Sequence, residues 1–173
     1  MTPKERLLTA MRHGIPDRVP VTPDISNMIP ARLTGKPFWD IYLYQDPPLW
    51  LAYIEAVRYL GIDGFLDYQV GVIFPDEAAE ASEEPWELAV VEKRPDRLVV
   101  QRYRKTDGHI QWAPTCDVYP RDNPPTYGVP LHKLGLPLVP EGWEPVEGIK
   151  QWPAGPDLFY LAYELMGDHG VAR

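Results

Sequence analysis

Residues able to do chemistry gather after two short apolar runs. Asp24, Ser26 and Asn27 follow the first, Val19-Pro20-Val21, and Asp67 and Tyr68 close the second, which opens at Asp63. A carboxylate at the C-terminal end of a strand can orient a substrate or stabilise developing positive charge, and in barrel folds those ends carry the active site. Asp67 is therefore the candidate catalytic residue, with Asp24, Asn27 and Tyr68 as substrate-binding candidates. Arg32 adds a guanidinium suited to bidentate contact with a carboxylate. The same residue types have plainer uses: Asp24 and Asp67 as loop caps, Arg32 as a solvated helix cation, Tyr68 as packing. Trp39, Tyr42 and Tyr44 suit a flat organic ligand, although an aromatic stripe beside a helix also builds core.

Other chemistries lack their residues. There is no G-x-S-x-G, G-x-G-x-x-G or P-loop pattern. Cys116 is the only cysteine, which excludes an intrachain disulfide and suits a reducing cytosol. His13, His109, His132 and His169 are scattered without metal-ligand spacing, so no metal site is expected within the chain. Asp76, Glu77, Glu80, Glu83 and Glu84 crowd one segment but match no calcium-loop pattern, and read as a solvated face. A net charge of −8 disfavours a nucleic-acid partner. No apolar run approaches the ~18 residues of a membrane helix, so no membrane partner is expected. Met1-Thr2-Pro3-Lys4-Glu5-Arg6 has no signal-peptide core, and the expected location is cytoplasmic.

The elements that must position these residues are partly explicit. Thr2-Pro3-Lys4-Glu5 forms a capping box before the stripe Leu7, Leu8 and Met11, and predicts a helix over 3–13 closed by Gly14. Residues 18–23 read as a short strand, and Pro30–Leu33 as a helical turn. Asp46 and Pro47 suit N-cap and N1 of a helix whose face carries Leu49, Tyr53, Ala56, Val57 and Leu60; Gly61 ends it. A strand over 63–68 then completes a βαβ pattern. From Trp86 the period changes to alternation, with strands at 88–91, 98–103 and 110–112, an antiparallel meander. Residues 114–156 are rich in proline, and Leu158, Leu161, Ala162 and Leu165 mark a last helix ended by Gly167.

After that helix the chain repeats the logic of Gly61-Ile62-Asp63 and stops where a strand should begin. The expectation is the N-terminal piece of a longer α/β protein. It divides into an N-terminal helix and βαβ start (1–85), a meander insertion (86–115), a proline-rich connection (116–155), and a helix leading into a truncated strand (156–173).

Several segments carry a resemblance. Thr2-Pro3-Lys4-Glu5-Arg6-Leu7-Leu8, Gly14-Ile15-Pro16-Asp17-Arg18-Val19-Pro20-Val21, Val57-Arg58-Tyr59-Leu60-Gly61-Ile62-Asp63-Gly64, and Tyr119-Pro120-Arg121-Asp122-Asn123-Pro124-Pro125-Thr126-Tyr127 are similar to the N-terminal half of the uroporphyrinogen decarboxylase family. The likeness is to its divergent branch, which includes corrinoid-dependent methyltransferases. It implies an α/β fold, the N-terminal part of a (β/α)8 TIM barrel, here carrying the antiparallel meander as an insertion. The decarboxylases place an arginine-rich segment after the first strand; here Arg32 is its only counterpart. Asp67 is the nearest match to their aspartate after the second strand. The methyltransferases' zinc ligands belong to the later half of the family pattern.

Three functions follow as expectations. The first is methyl transfer between a corrinoid and a small acceptor, with a corrinoid protein as partner and zinc in the complete enzyme. No cofactor is expected within this chain, and little activity from the chain alone. The second is decarboxylation of uroporphyrinogen or another polycarboxylate, as in porphyrin biosynthesis. The third is a non-catalytic α/β fragment or interaction module. Self-association, as a homo-oligomer, is expected if strand edges stay open.

Overall fold

The computed structural model describes residues 1–66 and 85–172. Contacts divide the chain into two units. One comprises residues 1–35, 47–74 and 151–173, the other 36–46 and 75–150.

The first unit opens with helix α1 (Pro3–Met11). The capping box forms as its residues dictate: Glu5 N–H donates to Thr2 Oγ1 at 3.2 Å, and Thr2 N–H donates to Glu5 Oε2 at 2.8 Å. The helix stops two residues short of the expected end because His13, not Gly14, takes the left-handed conformation (φ 60°). Helix α2 (Met28–Leu33) follows, then α4 (Leu49–Leu60), with Pro48 rather than Asp46 at its N-cap. Gly61 ends α4 with φ 64°, a left-handed cap that glycine takes without a Cβ clash. Strand β1 (Gly64–Leu66) pairs in parallel with β7 (Gly170–Ala172), which follows helix α5 (Gly155–Met166). The core of this unit forms where α4 buries Trp50, Ile54 and Val57 against Leu66, Leu158 and Met166.

The second unit is built on a five-stranded sheet: β2 (Glu87–Lys93), β3 (Arg97–Thr106), β4 (His109–Pro120), β5 (Thr126–Pro130) and β6 (Glu144–Pro145), in the order β5-β4-β3-β2-β6, with antiparallel neighbours throughout. Alternation along β3 sends Leu98 and Val100 to one face, and Val99 and Gln101 to the other. Helix α3 (Phe38–Tyr42) and the residues after it cover the first face, where Leu43 packs with Leu98, Val100 and Tyr119. A 3-10 turn at Leu131–Leu134 covers the second, where Leu131 meets Val99 and Cys116.

This architecture overturns the expected N-terminal part of a TIM barrel. No closed barrel is present among the described residues, and the strands do not follow the pattern of half a barrel. The main sheet is antiparallel, and among the described residues the only parallel pairing is three residues long. The expected strand over 18–23 does not form. Pro20 and Pro23 carry no amide to donate, and the backbone of Val21 is taken up by one residue. Its N–H donates to Asp63 Oδ2 at 2.7 Å and its carbonyl accepts from Asp63 N–H at 2.8 Å. The proline-rich stretch is not purely connection, since it supplies β5, β6 and the end of β4.

Candidate functional site

Of the polar residues expected to converge after two parallel strands, Asp24, Ser26 and Asn27 are among the described residues. Asp67 and Tyr68 lie outside the described residues, as does the acidic segment from Asp76 to Glu84. Asp24 is exposed and its Oδ1 accepts from Ser26 N–H at 2.7 Å, a turn-closing role. Asn27 occupies the N-cap of α2 with no side-chain cap bond, and Arg32 is exposed in the last turn of that helix.

Three of the four segments carrying the resemblance meet in an ion network centred on the buried Asp63. Asp63 is fully buried, and one of its oxygens takes a hydrogen bond from Arg6 Nη1. Its other oxygen lies 3.0 Å from Arg18 Nη1. Arg6 also donates through Nε to Asp17 Oδ1 at 2.7 Å. That guanidinium, together with the N-terminal ammonium, holds the Asp17 carboxyl well below the usual carboxylate range. Every charge here has a counter-charge, which fits an arrangement that locks Arg6, Asp17, Arg18 and Asp63 together rather than one that turns over a substrate.

Ligand-binding geometry appears in the second unit. A cleft of about 520 Å³ opens on the α3 face of the sheet. Trp39 and Tyr44 give it flat aromatic walls, and Pro95 and Leu98 an apolar floor. Lys93, Arg94 and Arg121 supply cations around it. Backbone bonds fix these parts in place: Arg121 N–H donates to Asp96 O at 2.8 Å, Phe38 N–H to Arg121 O at 2.7 Å, and Lys150 N–H to Tyr44 O at 2.9 Å. A lining held this way needs little reordering to receive a ligand.

The cations are not equivalent. Arg94 Nη2 lies 2.6 Å from Glu92 Oε2, and Arg97 engages the other oxygen of the same carboxylate at 2.7 Å. Among the described residues no acidic side chain pairs with Lys93 or Arg121, and both are exposed. Burial raises the Tyr44 phenol, with Asp40 and Glu144 adding to the shift, so Tyr44 remains a neutral hydroxyl donor. Two free cations, a phenol and an indole suit a small, flat anion. Among the described residues no carboxylate, histidine or thiol lines the cleft.

The aromatic triplet therefore divides between its two expected uses. Trp39 and Tyr44 line the cleft while packing at the edge of the core. Tyr42 turns inward; its hydroxyl is buried without a hydrogen-bond partner among the described residues, and burial pushes its pKa up to about 12. Sequence reasoning missed Lys93 and did not assign Arg121 a role. Arg121 stood inside the Tyr119–Tyr127 segment, and that was the one signal. His109 and Trp112 fall on β4, with Trp112 packed against Tyr103 and Ala89. Cys116 is buried, and desolvation raises its thiol pKa, the opposite of an activated nucleophile.

Among the described residues no helix is long and apolar enough to cross a membrane. Compared with known proteins, the chain matches no family model, no curated protein and no solved structure.

Proposed function

We propose that this chain binds a small, flat, anionic molecule in the Trp39–Arg121 cleft, as the acceptor-binding part of a methyl-transferring enzyme. The cleft carries the reading: about 520 Å³, two aromatic walls, and two cations without acidic partners among the described residues. That volume lies within the ~300–1,000 Å³ of small-molecule sites. The reaction type comes from the resemblance of the opening segments. Arg6, Asp17, Arg18 and Asp63, drawn from three of the resembling segments, form one network, which supports reading those three segments as a unit.

The volume and the two aromatic walls of the cleft suit a small acceptor. No three His, Cys, Asp or Glu side chains among the described residues come together to hold a metal ion. The described residues therefore do not fit zinc, and no step is assigned to it.

A second reading, decarboxylation of a small polycarboxylate, is favoured by one observation. Lys93 and Arg121 are two separate free cations and can meet two carboxylates of one molecule.

Isothermal titration with benzoate, benzene-1,3-dicarboxylate and neutral benzamide tests both readings. Binding of the anions but not of benzamide is expected, weakening as ionic strength rises from about 0.02 to about 0.5 M and the screening length shortens. A tenfold preference for the dicarboxylate supports the second reading, and equal affinities sink it. Equal binding of benzamide overturns both.

A further inference from the structure

The opposite face of the same sheet holds a second, smaller cleft of about 280 Å³. Val91, Leu136, Pro137 and Pro140 make its walls apolar, Glu141 stands at the rim, and Gln101 lies at its base. Gln101 is fully buried in mid-strand, a position where a polar side chain needs partners on every atom. Its Nε2 has them: it donates to Ala113 O at 2.8 Å and to Leu138 O at 3.0 Å. Both are carbonyls, which accept and never donate, so the amide orientation is settled and Oε1 is the free end. Oε1 has no hydrogen-bond partner among the described residues.

We infer that this cleft is a binding site for a one- or two-ring aromatic molecule bearing an N–H donor, which Gln101 Oε1 receives. A dry cavity of ~150 Å³ already holds benzene, so 280 Å³ has room for a bicyclic ring. The four apolar walls take the ring faces. The unpaired acceptor selects a donor over an isostere lacking one, because that isostere leaves Oε1 unsatisfied. Glu141 adds a preference for a cationic substituent.

Entry requires a small movement. Oε1 is closed to solvent, and the segment Leu136–Gly142 lies over Gln101, tied to it through Leu138 O. Gly135, with a left-handed backbone (φ 69°), and Gly142, with no atom within 4 Å of the position a Cβ would take, flank the segment at its two ends. Leu138 and Val139 are more than half exposed, so the motion has to release only the Leu136 packing and the Gln101–Leu138 hydrogen bond. This inference does not depend on the function proposed for the Trp39–Arg121 cleft, which lies on the other face of β3.

The test is titration of the ¹⁵N-labelled chain with indole, N-methylindole and tryptamine, read by NMR, with hydrogen exchange of residues 136–142. Indole is expected to shift the Gln101 side-chain amide and slow exchange in that segment. N-methylindole fills the same walls without a donor and is expected to bind at least tenfold more weakly. Tryptamine is expected to bind more tightly than indole, a gain that Glu141→Gln removes. None of the decisive comparisons needs a core variant, so misfolding does not obscure them. Equal affinity for indole and N-methylindole, or shifts confined to other residues, overturns the inference. A tryptamine gain that survives Glu141→Gln overturns the role of Glu141.

Discussion

Gly170 sits directly opposite Gly64 in the parallel pair, so close that a Cβ on Gly170 would lie 2.7 Å from Gly64 Cα and closer still to its carbonyl. Gly64 in turn packs under Val57 and Met166, whose atoms would stand 2.7 and 3.0 Å from a Cβ there. The two strands approach this closely only because both residues lack a side chain. Gly170→Ala is expected to destabilise the first unit by about 1–3 kcal/mol, since backbone has little room to retreat. Thermal unfolding compared with wild type checks it, and an unchanged midpoint would mean that the pair does not form.

Gly61→Ala acts through conformation alone. No atom stands within 4 Å of the position a Cβ would take, yet the backbone is left-handed. A loss of roughly 1 kcal/mol is expected by urea unfolding.

Asp17 sets an acid limit on the first unit. Its folded pKa is depressed by the Arg6 hydrogen bond. The stability it contributes is full above its unfolded value, about 3.9. That contribution drains as pH falls towards the folded pKa. Wild type is therefore expected to exceed Asp17→Asn in stability at pH 7, the gap closing below about pH 4. Urea titrations of both proteins across that range check the sign.

Tyr103 is one of several tyrosines of the second unit whose ionisation is delayed, and the largest cause of its delay is a single named bond. Its hydroxyl donates to Glu87 Oε2 at 2.5 Å, and that bond, then burial, pushes its pKa up to about 12. In ultraviolet titration Tyr103 is expected to ionise after ordinary tyrosines at ~10. Glu87→Gln removes the negative acceptor and is expected to shift this ionisation downward. An unmoved titration would show that Glu87 does not hold the phenol.

What was legible in the sequence was local. The capping box at Thr2 and Glu5, the Gly61 cap and the alternation of the meander depend on neighbours a few residues apart, and all appear. The strand at 18–23 was misread because β-branched Val19 and Val21 outweighed Pro20 and Pro23. Its destination, Asp63, lies far along the chain. The barrel expectation failed for a related reason: strand, helix and glycine turn do not specify which strand pairs with which, and β1 pairs with β7, not with a strand at 18–23. The cleft was the least legible feature. Trp39 and Tyr44 were singled out, but only the folded sheet brings them to Lys93 at the end of β2 and Arg121 after β4. Neither cation carries a local signal distinguishing it from other surface cations.

The most direct test of the account is the affinity of Arg121→Gln for benzene-1,3-dicarboxylate, measured by titration calorimetry beside wild type and beside Arg12→Gln as a surface-charge control. The backbone bonds of Arg121 to Asp96 and Phe38 survive the substitution, so the variant keeps its fold. A loss of about tenfold or more, with the control near wild type, is the predicted result, as expected for a charge-assisted hydrogen bond. Undiminished binding by Arg121→Gln would contradict the assignment of the cleft as the anion site.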